Sequence, residues 1–377
     1  DCVLDRLTGL IWTRNGNHGF MPWDQALDYA NNFTLCGYSE WHLPNINQLE
    51  SLVNADEPNS AAWLNAQGFY NVQYRYWSST TFEYDANYAW WIYMLGGNVY
   101  YSAFKQNNFY VWLVHSGQQS TPDVAYPANL WKTGQKIRYY IGDDGDLQRG
   151  VAWPEPRYTD NGDGTVTDNL TGLMWLKDAN CISTEYPSYS YYGNVTWEQA
   201  LDFVKGINNG TYSNCGAGYY DWRLPNRKEL MSLIDRSQYG LALPGGHPFL
   251  NVQLMYFAST KSASFTDLPW YVNMSNGYTN VWQDYNKYVW PVRGGQVGAP
   301  VSYYCDKDKD GYINSSIDET CSGIGCVPLG CYTTQGNDCY DNDPAVNPGE
   351  EEGPWGDATC SDGKDNNCDG FIDTNDS

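Results

Sequence analysis

Asp306-Lys307-Asp308-Lys309-Asp310-Gly311-Tyr312-Ile313-Asn314 places oxygen-bearing side chains at every second position and then a glycine. That spacing wraps one hard cation, with carboxylates at positions one, three and five, a turn at six and a main-chain carbonyl at seven. Asp306, Asp308 and Asp310 supply the carboxylates, Tyr312 the carbonyl, and Asn314 a further oxygen. An EF-hand needs glutamate at position twelve; Ile317 stands there, and Asp318, one place on, closes the shell with altered geometry. Asp365-Asn366-Asn367-Cys368-Asp369-Gly370-Phe371-Ile372-Asp373 repeats the logic, using Asp365, Asn367, Asp369, Asp373 and the carbonyl of Phe371. Asp338, Asp341, Asp343 and Asn347 form a third cluster around Pro344 and Pro348. All these ligands are oxygens, so the expected ion is calcium rather than copper or zinc. Cys321, Cys326 and Cys331 have no histidine nearby, which favours disulfides over a zinc site. The bland alternative is a solvated acidic linker.

The segment that carries these loops is distinct in charge. Of a formal net charge of −23, −14 falls in residues 303–377. Such a step marks a separate module, and an acidic chain lacks the basic footprint that nucleic acid requires. No apolar run is long enough for a membrane-spanning helix. Eleven cysteines point to an oxidising compartment. Seven of them lie in the tail, an odd number, so one is free or pairs elsewhere.

Before the tail, the chain repeats itself. Leu7-Thr8-Gly9-Leu10-Ile11-Trp12 returns as Leu170-Thr171-Gly172-Leu173-Met174-Trp175, and Trp23-Asp24-Gln25-Ala26-Leu27-Asp28 as Trp197-Glu198-Gln199-Ala200-Leu201-Asp202. Trp41-His42-Leu43-Pro44-Asn45 returns as Trp222-Arg223-Leu224-Pro225-Asn226, and Val111-Trp112-Leu113-Val114 as Val289-Trp290-Pro291-Val292. Copies this long are a domain duplication rather than a solenoid. In each, a helix opens at Trp23 or Trp197, with Ala26, Leu27 and Ala30, or Ala200, Leu201 and Val204, as its apolar stripe. A second short helix follows, capped by Asn45 or Asn226. The remainder is aromatic and strand-rich, with Gly96-Gly97 and Asn276-Gly277 as turns. The expected class is α+β. The expected boundaries are 1–117 for copy one, 118–157 for an ordered, proline-broken linker, 158–302 for copy two and 303–377 for the acidic tail.

Cys181 precedes the first helix of copy two and Cys215 follows it, so a bridge between them staples that helix. Cys36 matches Cys215, and Cys2 is the other cysteine of copy one, which gives the pair Cys2–Cys36. Aligned on Leu-Thr-Gly-Leu, Cys2 meets Thr165, so copy one lacks the Arg157–Gly164 lead-in. A missing strand leaves an open sheet edge. Either upstream residues fill it, or a neighbouring chain does, which is the basis for expecting self-association.

Aromatic and amide residues mix in the second half of each copy. Tyr93, Asn98, Tyr100, Tyr101, Gln106 and Asn108 in copy one, with Asn273, Asn276, Tyr278, Asn280, Trp282 and Tyr285 in copy two, are the candidate ligand-binding residues. Rigid rings with adaptable polar groups suit sugars or protein partners. Trp90, Trp112, Trp270 and Trp290 read as core. No catalytic residue stands out. His42 faces Arg223 and His115 faces Arg293 across the repeat, while His18 and His247 are solitary. A general base needs a positioned partner, and none can be named.

The Leu-Thr-Gly-Leu, Trp-x-x-Ala-Leu, Trp-(His/Arg)-Leu-Pro-Asn and closing Trp-x-Val motifs resemble the Lcl-type C-terminal domain family. Gly142-Asp143-Asp144-Gly145-Asp146-Leu147-Gln148 and Asp160-Asn161-Gly162-Asp163-Gly164 are similar to the same family. The second of these reads chiefly as a hairpin turn. The tail resembles MopE-type metal-binding repeats, through Asp338-Cys339-Tyr340-Asp341, Val346-Asn347-Pro348-Gly349 and Asp365–Gly370. The resemblance implies two tandem C-type-lectin-like domains, placement at a bacterial surface or outside the cell, and an adhesive or ligand-binding role toward a glycan or a surface protein. The expectation is a secreted, calcium-stabilised binding protein and not an enzyme. The alternatives are a structural subunit of an extracellular filament or surface layer and, further off, an oxidase of the formylglycine-generating type.

Overall fold

The structure, a computed structural model, describes residues 1–116, 130–265, 268–281, 286–294, 301–308, 310–316, 319–321, 331–332, 335–340, 342–350 and 359–372. Trp282, Tyr285, Asp318, Asp341, Asp373 and Cys326 lie outside these residues. The chain forms two compact units, residues 1–166 with 175–293, and residues 167–174 with 294–377.

The first unit holds both copies and the linker, and mixes short helices with small sheets, an α+β arrangement. Copy one has helices Trp23–Asn31, Ile46–Ser51 and Ser60–Ala66. Its main sheet runs Phe20–Met21, Phe109–Tyr110, Arg75–Thr81, Tyr88–Tyr93, Asn98–Phe104 in spatial order. A smaller sheet orders Cys2–Leu4, Ile11–Thr13 and Val114–His115. Copy two repeats the pair of helices at Trp197–Asn208 and Arg227–Ser232, and a meander at Met255–Lys261, Pro269–Asn273 and Thr279–Val281.

The duplication extends to atoms. Asn45 and Asn226 each close a capping box, accepting from Gln48 N and Glu229 N at 2.9 Å. Two orphan amides are satisfied reciprocally there, so each short helix starts at the residue after its asparagine. Trp12 meets Trp112 edge-on at 5.5 Å, and Trp175 meets Trp290 at 5.4 Å. Trp90, Trp112, Trp270 and Trp290 are all buried. Asn71 and Asn251 both adopt positive φ, 56° and 52°, and both precede a glutamine amide bound by a buried tyrosine hydroxyl (Gln73 N to Tyr76, Gln253 N to Tyr256). One expected stripe residue differs: Leu201 is exposed, because Phe203 fills the core side of its helix instead.

Cys2 is bonded to Cys36 and Cys181 to Cys215, each across 34 residues. Asp160-Asn161-Gly162-Asp163-Gly164 is a hairpin turn. Asn161 N donates to Thr165 O, Asp163 Oδ1 accepts from Thr165, and Asp160 pairs with Lys177 at 2.6 Å. Both carboxylates are consumed locally. The described part of the linker straps both copies. Asp144 is buried and accepts from Thr80 and Thr133 hydroxyls at 2.7 and 2.6 Å, Gln135 bonds the backbone of Thr81, and Arg236 N donates to Thr133 O.

In the second unit, Val301–Cys305 pairs antiparallel with Glu319–Cys321 and with Cys331–Tyr332. Cys339 is bonded to Cys368, and Cys305 is also disulfide-bonded.

Candidate functional site

The carboxylates of Asp306, Asp308 and Asp310 converge, with one oxygen from each lying within 4.8 Å of the others. Their remaining oxygens hold the loop. Asp306 Oδ2 accepts from Gly311 N, Asp308 Oδ1 from Asp310 N, and Asp310 Oδ1 from Tyr312 N at 2.8 Å. The other atoms, Asp306 Oδ1, Asp308 Oδ2 and Asp310 Oδ2, are buried and have no hydrogen-bond partner among the described residues. Three desolvated anionic oxygens aimed at one point repel one another unless a cation joins them. An all-oxygen set suits a hard ion.

The second loop reproduces the frame. Gly370 N donates to Asp365 Oδ2, Asp369 N to Asn367 Oδ1, and Phe371 N to Asp369 Oδ1. Gly311 and Gly370 share a φ of +97°, a conformation only glycine adopts cheaply. The loops differ at the third position, where Asn367 replaces a carboxylate, and Asp369 is exposed where Asp310 is half-buried.

The third cluster does not assemble as expected. Asp343 forms an ion pair with Lys364, and Asn347 Oδ1 accepts from Gly349 N in a turn. Asp338 is fully buried and pairs through its backbone with Ile313 and Ser315, which sets it beside Asn314 of the first loop. The local cause is that Pro344 and Pro348 fold this stretch onto Asn366, whose carbonyl accepts from Asn347 N. Asp338 also lies near Cys339 and Cys368, but those two sulfurs are bonded to each other and cannot ligate as thiolates.

The aromatic and amide candidates separate into two groups. Asn98, Tyr100 and Tyr101 of copy one meet Tyr278 and Asn280 of copy two within the chain. Asn98 Nδ2 donates to Asn280 Oδ1 at 3.0 Å, Val99 N donates to Thr279 Oγ1 at 3.1 Å, and Tyr278 packs on Tyr100 and Tyr101 at 5.4 and 5.9 Å. In the repeat register Asn98, Val99 and Tyr100 match Tyr278, Thr279 and Asn280, so 98 meets the mate of 100, 100 meets the mate of 98, and 99 meets its own mate. That is the pairing of a two-fold axis. These residues, and Asn276, whose carbonyl accepts from Arg236, are therefore spent on an internal contact rather than an open binding face. Asn273 Oδ1 is likewise taken by Ser275.

Charge reinforces that contact through residues that carry no motif. Arg227, 2% exposed, donates to Glu50 Oε1 at 2.5 Å and to Gly97 O at 2.8 Å, and lies over Trp270 at 4.4 Å. Arg236 of copy two sits 4.1 Å above Trp90 of copy one.

The second group stays on the outer face of copy one. Trp91 stacks on Tyr100 at 4.6 Å and 17°. Arg75, which the sequence reading passed over, lies over the rings of Tyr74, Trp91 and Phe109 at 5.5–6.0 Å and has no ion-pair partner among the described residues. Phe20 is 51% exposed and packs on Tyr110 at 4.8 Å. Tyr93 pairs with Arg75 across the sheet, and Gln106 and Asn108 are exposed on the adjoining turn.

His42 is structural in setting. His42 is fully buried between the Glu40 carbonyl and Gln48; burial, then the nearby Arg149 charge, hold it down to about 4 and so neutral. At the matching position Arg223 makes a bidentate ion pair with Glu229, 2.6 Å for each bond.

The model of one protein family, described as the Lcl C-terminal domain, matches residues 1–115 and 164–293. No curated protein and no solved structure matches the chain. The matched segments cover both copies and stop short of the tail. They indicate an extracellular or cell-surface bacterial protein, and no helix among the described residues is long and apolar enough to cross a membrane. The chain belongs to the Lcl C-terminal domain family.

Proposed function

We propose that this member of the Lcl C-terminal domain family is a bacterial surface adhesin. In this reading it binds a glycan or a surface protein and does not catalyse. Its two copies are C-type-lectin-like modules fused face to face, and its tail is a calcium module of the MopE-type. The observation that carries the binding role is the face of copy one where Arg75 lies over exposed Tyr74 and half-buried Trp91, above the core ring of Phe109 and beside exposed Phe20, Gln106 and Asn108. Aromatic rings with a guanidinium at a solvent-facing surface are the usual makings of a recognition hot spot.

In the tail, Asp306, Asp308 and Asp310 would hold the calcium, with Asp365, Asn367 and Asp369 as the weaker second set. The ion would supply positive charge to a segment that carries −14.

The test uses the whole calcium-loaded protein on a glycan array and against fixed bacterial and host cells, beside Arg75→Ala and Trp91→Ala. Binding that survives both substitutions unchanged, or no binding to any surface, sinks the adhesive reading. Native material that sediments as a polymer would favour the structural-subunit alternative instead.

A further inference from the structure

A cavity of about 650 Å³ opens where copy one, the linker and copy two meet. Its wall draws Glu83 from the first copy, Lys136, Trp153, Glu155 and Arg157 from the linker, and Asp235, Ser237 and His247 from the second, so it carries charges of both signs. The volume suits one small ligand.

One atom of this wall, His247 Nδ1, is a buried orphan among the described residues, and two carboxylate oxygens accept no hydrogen bond from them. Asp235 is only 6% exposed; its Oδ1 is fixed by Ser237 N and Oγ at 2.8 and 2.7 Å, while its Oδ2 has no hydrogen-bond partner among the described residues. Glu83 Oε2 takes a long bond from Tyr139 at 3.4 Å, and Oε1 takes none among the described residues. His247 Nδ1 is buried without a partner. Neither Glu83 nor Asp235 forms an ion pair among the described residues, with Lys136 and Arg157 of the same wall or otherwise, and the Tyr139 hydrogen bond offsets only part of what burial does to Glu83. Burial, then the Asp235 charge, raise it above the usual carboxylate range. Burial also keeps His247 below its ordinary value, so its ring is neutral and its bare nitrogen can accept.

Two carboxylates that share a partly desolvated site are both relieved by one cation placed between them. A metal ion is the poorer occupant. The ligand atoms of Glu83, Asp235 and His247 do not come together as a three-atom cluster, whereas those of Asp306, Asp308 and Asp310 do. The cavity is also far larger than an ion. Hydroxyl and amide groups from Ser237 and Gln238 add further hydrogen-bonding capacity, and the Trp153 ring supplies an apolar flank.

We propose that this cavity binds an amino sugar with a free amine, the ammonium bridging Asp235 Oδ2 and Glu83 and a hydroxyl donating to His247 Nδ1. The site is separate from the outer face of copy one, so success or failure of the adhesive reading leaves it untouched.

Calorimetric titration of the whole protein at neutral pH with glucosamine, N-acetylglucosamine and N-α-acetyl-lysinamide tests this. Glucosamine should bind saturably, N-acetylglucosamine at least about tenfold more weakly, and Asp235→Asn and Glu83→Gln should each weaken glucosamine by about tenfold or more. Glu83 lies outside the core, so Glu83→Gln reports even if the Asp235 variant misfolds. Equal affinity for the acetylated sugar, unchanged glucosamine binding in a folded variant, or no binding up to about 10 mM would overturn the proposal. Tighter binding of the lysine derivative than of glucosamine would overturn the assignment to a sugar.

Discussion

Copy one and copy two share caps at 2.9 Å, tryptophan pairs at 5.5 and 5.4 Å and a bridge across 34 residues, yet they differ in the charges they bring to the face where they touch. Copy two contributes Arg227 and Arg236; copy one contributes Glu50 and Trp90. The position of Arg227 is Ile46 in copy one, and that of Glu50 is Met231 in copy two. Away from the contact, His42 and Gln48 sit buried and uncharged where Arg223 and Glu229 form an ion pair. Positions that serve each copy's own fold have stayed alike; on the shared face the Trp90 and Trp270 mates are also alike, while Glu50, Arg227 and Arg236 make it complementary in charge.

The largest expected effect comes from breaking that complementarity. Glu50→Gln strands a buried guanidinium and should cost about 3–5 kcal/mol, read from the denaturation midpoint. Replacing both partners by methionine should recover most of this, since a packed apolar pair often equals a buried ion pair. A double mutant no better than Glu50→Gln would show that Arg227 acts through Gly97 and Trp270 instead.

The two bridges close loops of equal length, so removing either pair of cysteines should destabilise its own copy by a similar amount, about 3–4 kcal/mol. A marked inequality between Cys2→Ala/Cys36→Ala and Cys181→Ala/Cys215→Ala would mean that one copy leans on the other for stability.

Acid should separate the copies further. His42 is held at about 4 in the folded state. The unfolded chain takes up that proton first, so stability falls as pH drops from about 6.5 to 4. Asp144 works in the opposite direction. Burial pushes it up to about 6 against the hydrogen bonds from Thr133 and Thr80. The native state keeps its proton longer, and stability falls as pH rises from about 4 to 6. The two slopes largely cancel. Asp144→Asn should expose the His42 slope, an acid-dependent loss of about 2 kcal/mol between pH 6 and 4, measured by urea titration at each pH. A flat profile in that variant would remove His42 as its source.

The smallest effect belongs to the tail, where the two loops offer the same comparison in miniature. Asp308→Asn should weaken calcium binding by about tenfold, and Asn367→Asp should strengthen it by a similar factor, because ligand charge sets affinity in such loops. Equal protease sensitivity of the tail in calcium and in excess chelator would show that neither loop holds the ion.

Much of this was legible in the chain. The asparagine caps, the Trp12–Trp112 and Trp175–Trp290 segments and the bridges Cys2–Cys36 and Cys181–Cys215 follow from local chemistry and from the register of the repeat. The α+β class followed from the same pattern. The contact between the copies was not legible. Tyr–Asn-rich strands serve an internal interface as well as an external one, so composition could not distinguish Asn98 bonded to Asn280 from Asn98 facing a ligand. Nor could it place Glu83 beside Asp235, which lie 152 residues apart in the numbering and meet only because the linker draws the copies together. The carboxylates of the third acidic cluster were assigned on spacing alone, and Lys364 claimed one of them.

The two-fold contact at Val99 and Thr279 has a consequence for life outside a cell. Two separate subunits meeting through such a face would part on dilution below their dissociation constant. Joined by a strap, the halves face each other at a fixed, high effective concentration whatever the number of molecules in the medium. A secreted protein is diluted without limit once it leaves its source; this one carries its own partner with it.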